Sequence, residues 1–310
     1  MPVRPLSLMT ILFCCALAVS ATAQLDITRV TAEPVRAQIV GQEVKVLAGG
    51  ALFTAYKFSK TQKYPYFYPV NGPASEVSLT TESSKPYPHH HSLFFGCDHV
   101  NGGNYWQDIH ARGQILSQGP RITDDGPEQI VIEDTCLWER EGQEPVIRDE
   151  RKITITAPSA MVRYIDFDIT LHALVDVVIT RTNHSLFSAR MRPALSVESG
   201  GTILNAQGAE NAEGTFGVAA PWCDYSGTDH EITEGLAIFQ HPENPWYPAK
   251  WFTRDYGFFS PTQLYWLDEY RIPKGAPVRL RYRVVAHAGD AQEAGIASHF
   301  EQYAPTSAGE

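Results

Sequence analysis

Charge is scarce in this chain. Only 19% of its 310 residues are Asp, Glu, Lys or Arg, and the balance is acidic, a net −10 with a pI near 5.6. That excludes nucleic acid as a partner, because phosphate contacts need a basic surface, and gives no attraction to anionic lipid. Cysteine is scarce too. Of five, Cys14 and Cys15 sit in the N-terminal apolar run, which leaves Cys97, Cys136 and Cys223. An odd number with room for one bridge at most is not a disulfide-stapled scaffold. There is no internal repeat and no long block of like charge. Nucleophile elbow, phosphate-binding loop, dinucleotide fingerprint and zincin helix are all missing, which closes those common routes to catalysis.

Long hydrophobic runs are limited to one, Leu6 to Val19. It follows Arg4, falls short of a bilayer span and ends at Ala21-Thr22-Ala23. That order predicts a signal peptide over residues 1–23, cleaved before Gln24. The expected location is periplasmic or secreted, with no membrane association after cleavage. No linker divides what remains, so residues 24–310 are expected to form one domain.

With 43% hydrophobic residues the chain can bury a full core, and its apolar pattern is that of strands. Glu43–Ala48 and Ala51–Phe58 flank Gly49-Gly50 as a hairpin. Gln129–Trp138, Glu150–Thr156 and Leu174–Thr180 read as strands. Ile165, Phe167, Ile169 and Leu171 alternate with Asp166, Asp168 and Thr170, and Val278, Leu280, Tyr282 and Val284 alternate with arginines. Such alternation places one face on a core and the other in water. Helix signals are few; the best is Asp290–Tyr303, opened by an Asp290/Glu293 capping box, with Ile296 and Phe300 on one face. The prediction is an all-β fold, an antiparallel β-sandwich with a short C-terminal helix.

Chemistry-bearing residues gather in five places. Tyr64–Pro73, within a long loop from Lys60 to His91, mixes prolines with aromatics that cannot continue a regular central strand for long. Tyr66 offers a face to stack on a ring and a hydroxyl to bond its edge. The segment Pro88–Trp106 holds four of the chain's eleven histidines, His89, His90, His91 and His99. Imidazole transfers protons near neutral pH and is a common metal ligand. His89 and His90 are therefore catalytic candidates, with Asn101 and Trp106 as binding candidates. A metal held by two or three of these histidines with Asp98 is the competing reading, although the spacing matches no zinc finger or helical zinc pair; no cofactor is required otherwise. A strand from Arg190 to Glu198 would put Arg190 and Arg192 on one face, Arg192 offering its fork to a ligand. The segments Trp222–Gly227 and His241–Gly257 add Trp222, Asp224, His241, Trp251 and Arg254 as substrate-binding candidates.

In order along the chain, Tyr64-Pro65-Tyr66-Phe67-Tyr68-Pro69-Val70-Asn71-Gly72-Pro73, Pro88-His89-His90, Phe95-Gly96, Val100-Asn101-Gly102 and Trp106 resemble the PmoA-like family of exported bacterial proteins. Trp222, Asp224–Gly227, His241-Pro242, Asn244-Pro245, Trp251, Arg254 and Tyr256-Gly257 fit the same pattern. A methane monooxygenase subunit of the integral-membrane kind needs several spanning helices, so the resemblance does not imply methane oxidation. The closing segment Arg271–His287 is similar to that of galactose-mutarotase-like β-supersandwich proteins. The resemblance implies a small-molecule carbohydrate ligand and a histidine acid working with a carboxylate or tyrosine base. The expected function is that of an exported carbohydrate-active protein: a lyase, hydrolase or epimerase, or else a non-catalytic sugar-binding module or a His-ligated metalloprotein.

Overall fold

The computed structural model describes Met1 and residues 31–304; apart from Met1 the leader expected over 1–23 lies outside the described residues. The chain from Thr31 on is one compact unit. Two antiparallel sheets stack into a sandwich. One has eleven strands, with the path Val35–Val40, Glu43–Ala48, Ala51–Lys57, Tyr66–Val70, Leu93–Val100, Ser185–Arg190, Phe258–Pro261 and Trp251–Arg254, and three short strands attached. The other has nine, with Pro277–Ala288 between Ile232–Gln240 and Val162–Ala173 at its centre. No helix among the described residues is long and apolar enough to cross a membrane.

The alternating strands behave as their pattern dictates. Val162–Ala173 pairs with Pro277–Ala288 so that Phe167 faces Tyr282 and Ile169 faces Leu280, all buried. On the opposite face Arg283 donates to Asp166 at 2.6 Å and Arg279 to Asp168 at 2.7 Å. The first sheet differs, because the strands Leu93–Val100, Ser185–Arg190 and Phe258–Pro261 are buried on both faces. Phe187 stacks inward on Tyr282 at 4.6 Å. The outward residues Phe94, Phe258 and Phe252 lie under loops instead of water.

Three expectations change. Tyr66–Val70 is an interior strand, not a loop; a register shift between Thr54 and Tyr56 accommodates Pro69 within the pairing. The strand ending at Arg190 does not continue to Glu198. Pro193 has no N–H for a ladder, and 3₁₀ turns at Pro193–Leu195 and Val197–Ser199 follow. The capping box forms, with Asp290 accepting from Glu293 N at 2.9 Å and Glu293 from Asp290 N at 3.1 Å, but it closes a turn. The helix itself is Ile296–Tyr303, starting after left-handed Gly295. Ile296 and Phe300 pack on Trp222 and Phe239 in a second small core. Cys97, Cys136 and Cys223 are buried free thiols, pushed up in pKa by burial.

Candidate functional site

The outer face of the eleven-stranded sheet is an aromatic platform. Tyr64 stacks on Phe94 at 5.0 Å and Trp106 meets Phe94 edge-on at 4.7 Å. Gly96 permits this layer, since a Cβ there would stand 2.7 Å from the Tyr105 carbonyl and 3.4 Å from the Tyr64 ring. The turn carrying the histidines rests on the platform. His90 N donates to Tyr87 O at 3.2 Å, and the Tyr64 hydroxyl donates to His89 O at 2.9 Å. Arg190, buried beneath, donates to Ser84 Oγ and Lys85 O at 3.3 Å. Across the site the turn after Arg254 presents Tyr256. Gly257 makes that turn possible, with φ +105° and a position for Cβ only 2.9 Å from Met191 O.

Between these segments lies a hollow of about 120 Å³, walled by Tyr87, Phe252, Tyr256 and Phe258 and by the polar side chains of His90, Asn183, His184 and Arg254. Its best-oriented group is His184. The buried Asp98 carboxylate holds His184 Nδ1 at 2.8 Å, and Asp98 is itself fixed by the Thr182 hydroxyl. With Nδ1–H given to the carboxylate, Nε2 is the free nitrogen. Trp106 stacks on the His184 ring at 5.4 Å, and His89 stands edge-on at 6.2 Å.

His90 is a different kind of histidine. Its ring is buried against Phe258 at 4.6 Å and Tyr87 at 5.2 Å. Burial, helped by the positive potential of His89, Arg190 and His184, lowers its pKa to about 2, so it is neutral at working pH. Its Nδ1 is buried with no protein partner, as are His89 Nε2 and Trp106 Nε1. His89 also falls below its ordinary pKa, through burial and then through His184. Burial raises the Tyr256 hydroxyl to about 12, against the pull of Arg190.

His91 points away from the hollow. Its Nδ1 contacts Glu82 O at 2.7 Å and its Nε2 contacts Asp108 at 3.1 Å. Both partners are acceptors, so both nitrogens donate and the ring is an imidazolium. Burial works against that charge, but Asp108 and Glu82 outweigh it and the pKa ends above its ordinary value. Tyr66 stacks on His91 at 5.1 Å and gives its hydroxyl to Glu82 at 2.7 Å. Lys63, lowered by burial to about 8, donates to Ile109 O at 2.8 Å and to Gly113 O and so pins the loop beside His91.

The fold thus brings together His89, His90, Trp106 and Arg254, with Tyr66 one layer away. It separates the rest. Asn101 shapes a turn, donating to Asp176 O at 3.0 Å and accepting from Val178 N at 2.8 Å. Arg192 pairs with Asp229 at 2.5 Å. Trp251 lies on the inner face of its strand, its indole bonded to Ala220 O at 2.8 Å. Trp222 and Asp224 are under the C-terminal helix on the other sheet, where Asp224 meets His287 at 2.7 Å. His241 stacks edge-on with Tyr303 at 5.5 Å and accepts from Glu243 N. Among the described residues no group of three or more His, Cys, Asp or Glu is arranged to hold a metal ion. Sequence reasoning missed His184 altogether. The signal available for it was Thr182-Asn183-His184-Ser185, a polar step just ahead of the apolar Leu186-Phe187.

Fold and site define a two-sheet antiparallel β-sandwich that carries an aromatic, histidine-lined hollow on one outer face. The chain belongs to the DUF6807 family, a family of unknown function, matched over residues 43–301. No curated protein matches it. Among solved structures it is similar to an alpha-galactosidase from Lactobacillus brevis, at 9% identity and TM-score 0.41, covering 86% of this chain and 41% of that one. The chain therefore spans about two fifths of that enzyme's length. It is also similar to a candidate aldose 1-epimerase from Klebsiella pneumoniae subsp. pneumoniae, at 9% identity and TM-score 0.37, covering 84% of this chain and 80% of that one. A galactose mutarotase related enzyme from Lactobacillus acidophilus is similar at 5% identity and TM-score 0.36, covering 82% and 97%. These likenesses concern the fold.

Proposed function

We propose that the hollow binds a sugar and that the chain is an exported carbohydrate-active enzyme, a lyase, hydrolase or epimerase that works by histidine acid/base chemistry. One observation carries the reading. A histidine oriented by a buried carboxylate, the Asp98–His184 pair, opens on a hollow where the neighbouring His90 keeps a buried, unpartnered nitrogen. Aromatic walls with a few converging polar groups suit a ring that is apolar on its faces and hydroxylated at its edge.

The roles divide by environment. His184 is the proton-transfer group, because Asp98 stabilises the imidazolium formed when Nε2 takes a proton. His89, kept neutral by burial, is the second base beside it. His90 is a neutral hydrogen-bonding group, not a proton donor. Tyr87 and Phe252 line the walls, and Arg254 bonds the sugar's edge. The volume is below the roughly 300 Å³ of the smaller drug-sized sites, so the hollow takes one ring or the end of a chain. Export and kinship with PmoA-like proteins belong to the same proposal.

The test is a screen of mono- and oligosaccharides against the purified mature chain, followed by His184→Asn and His89→Ala on whatever is turned over. Loss of turnover with retained sugar binding supports the assignment. Unchanged turnover in both variants ends it.

A further inference from the structure

The arginines of this chain fall into two groups. At most other places where the sandwich buries or half-buries a guanidinium a carboxylate meets it, as with Arg151 and Asp149 at 2.7 Å, Arg192 and Asp229 at 2.5 Å and Arg283 and Asp166 at 2.6 Å; half-buried Arg140, which donates to Asn101 O at 3.3 Å away from the hollow, is an exception. Arg190 and Arg254 have no such partner among the described residues. Arg190 is 1% exposed, and its bonds go to a hydroxyl and a carbonyl while its Nη1 has none. Arg254 donates to the carbonyl of Thr253 at 3.0 Å. A buried cation without a counter-ion is costly to desolvate, and a chain of net charge −10 has many carboxylates from which one could have been supplied.

One of these cations lines the hollow and the other lies behind its wall. Arg254 lines it, its guanidinium carbon 4.0 Å from the Phe252 ring centre and 4.5 Å from that of Phe216. Arg190 lies 4.3 Å behind the Tyr256 ring. Two imidazoles, His90 and His184, line the same space, and His89 stands beside both, 4.7 Å from His90 and 6.2 Å from His184 between ring centres. The nearby carboxylates are committed or remote. Asp98 is engaged by His184 and Thr182, Asp255 accepts from Ala212 N, and Glu198, on the exposed turn, acts on Arg190 and Tyr256 only through space. The walls of the hollow are aromatic, which strengthens its field.

We propose that the sugar accepted here is acidic, a ring bearing a carboxylate or sulfate ester whose anion is held by Arg254 with Arg190 behind it. This rests on the reading of the hollow as a sugar site and adds the ligand's charge. The guanidinium of Arg254, confined between the Phe252 and Phe216 rings, carries the planar fork that a two-oxygen anion matches. The anion supplies the counter-ion that both arginines lack and leaves the ring in the hollow beside His184.

The experiment is calorimetric titration of the mature chain with a panel of uronic acids, their neutral parent sugars and the 6-sulfates of those parents, at low and high salt. Anionic members should bind at least about tenfold tighter than their parents, and that advantage should shrink with salt. In Arg254→Gln the anionic-to-neutral ratio should fall toward one, and in Arg254→Lys it should be intermediate. The salt series needs no variant and decides the matter even if Arg254→Gln does not fold. Tighter binding of uronates than of sulfates assigns the carboxylate; the reverse order assigns the ester. Neutral parents binding as tightly as their acids would overturn the proposal while leaving the sugar site standing. Binding by no member of the panel would remove both.

Discussion

Among the histidine–carboxylate pairs of the described residues, two have a buried aspartate in close contact, Asp98 with His184 at 2.8 Å and Asp224 with His287 at 2.7 Å. Their chemistry is the same and their surroundings are opposite. The second pair is 0% exposed on both sides. It sits on the outer face of the nine-stranded sheet, closed over by the C-terminal helix. Gly235 makes room there, since a Cβ would stand 2.6 Å from the His287 ring. The first pair keeps 24% of the His184 side chain exposed and opens on the hollow. A carboxylate that orients an imidazole is a device for catalysis only where a ligand can reach the far nitrogen; sealed in a core, the same pair is a structural strut.

The sharpest way to break this comparison is to remove each histidine's role in turn. His184→Asn retains a donor for Asp98 and, on the proposed function, should lower turnover of a sugar substrate by about 10²–10⁴-fold, with stability within about 1 kcal/mol of the native chain. Steady-state kinetics beside a urea melt reads both, and full activity would disprove the assignment. Asp224→Ala should do the reverse. It strands His287 in the core at a cost of about 3 kcal/mol, visible as a lower urea midpoint, while any protein that remains folded binds ligand normally. An unshifted midpoint would mean that the buried pair contributes nothing.

A smaller effect separates the two neutral roles. His90 has a folded pKa of about 2 against an ordinary 6.5. Between those values the unfolded chain binds a proton that the folded chain refuses. Stability from this group is therefore complete above 6.5 and falls as acid is added, with a limiting slope of about 1.4 kcal/mol per pH unit. His90→Asn should have a flatter acid limb in denaturation from pH 6.5 downward, and a curve parallel to the native one would contradict the burial argument. The smallest effect concerns His91, whose raised pKa contributes stability below 6.5 that is lost as pH rises through the folded value. Asp108→Asn should lower that pKa in an NMR titration and change stability by under about 1 kcal/mol; an unmoved imidazole resonance would refute the imidazolium assignment.

Much of the architecture was legible in the residue pattern. The Gly49-Gly50 hairpin, the alternating Ile165–Leu171 and Val278–Val284 strands and the Ile296/Phe300 face follow from period-2 and i, i+4 spacing. Within the site, His89, His90, Trp106 and Arg254 stood out as polar or aromatic groups in turn-rich segments. Asp224 stood out for the same reason, yet it belongs to a helix-covered face. Trp251 and Arg254 share a strand but differ in parity, so one is core and the other lines the hollow. Nothing local marked Asp98 and His184 as partners, since 86 residues separate them and only the pairing of Leu93–Val100 with Ser185–Arg190 joins them.

The sequence by itself determined that this is a sandwich of antiparallel sheets, because side-chain alternation along a strand is a local property of the backbone. Only the tertiary structure decided which histidine has a carboxylate behind it, which arginines lack one and which face stays open. Those are properties of neighbours brought together across the sheet and its loops, and contact between distant segments leaves no trace in the spacing of either one.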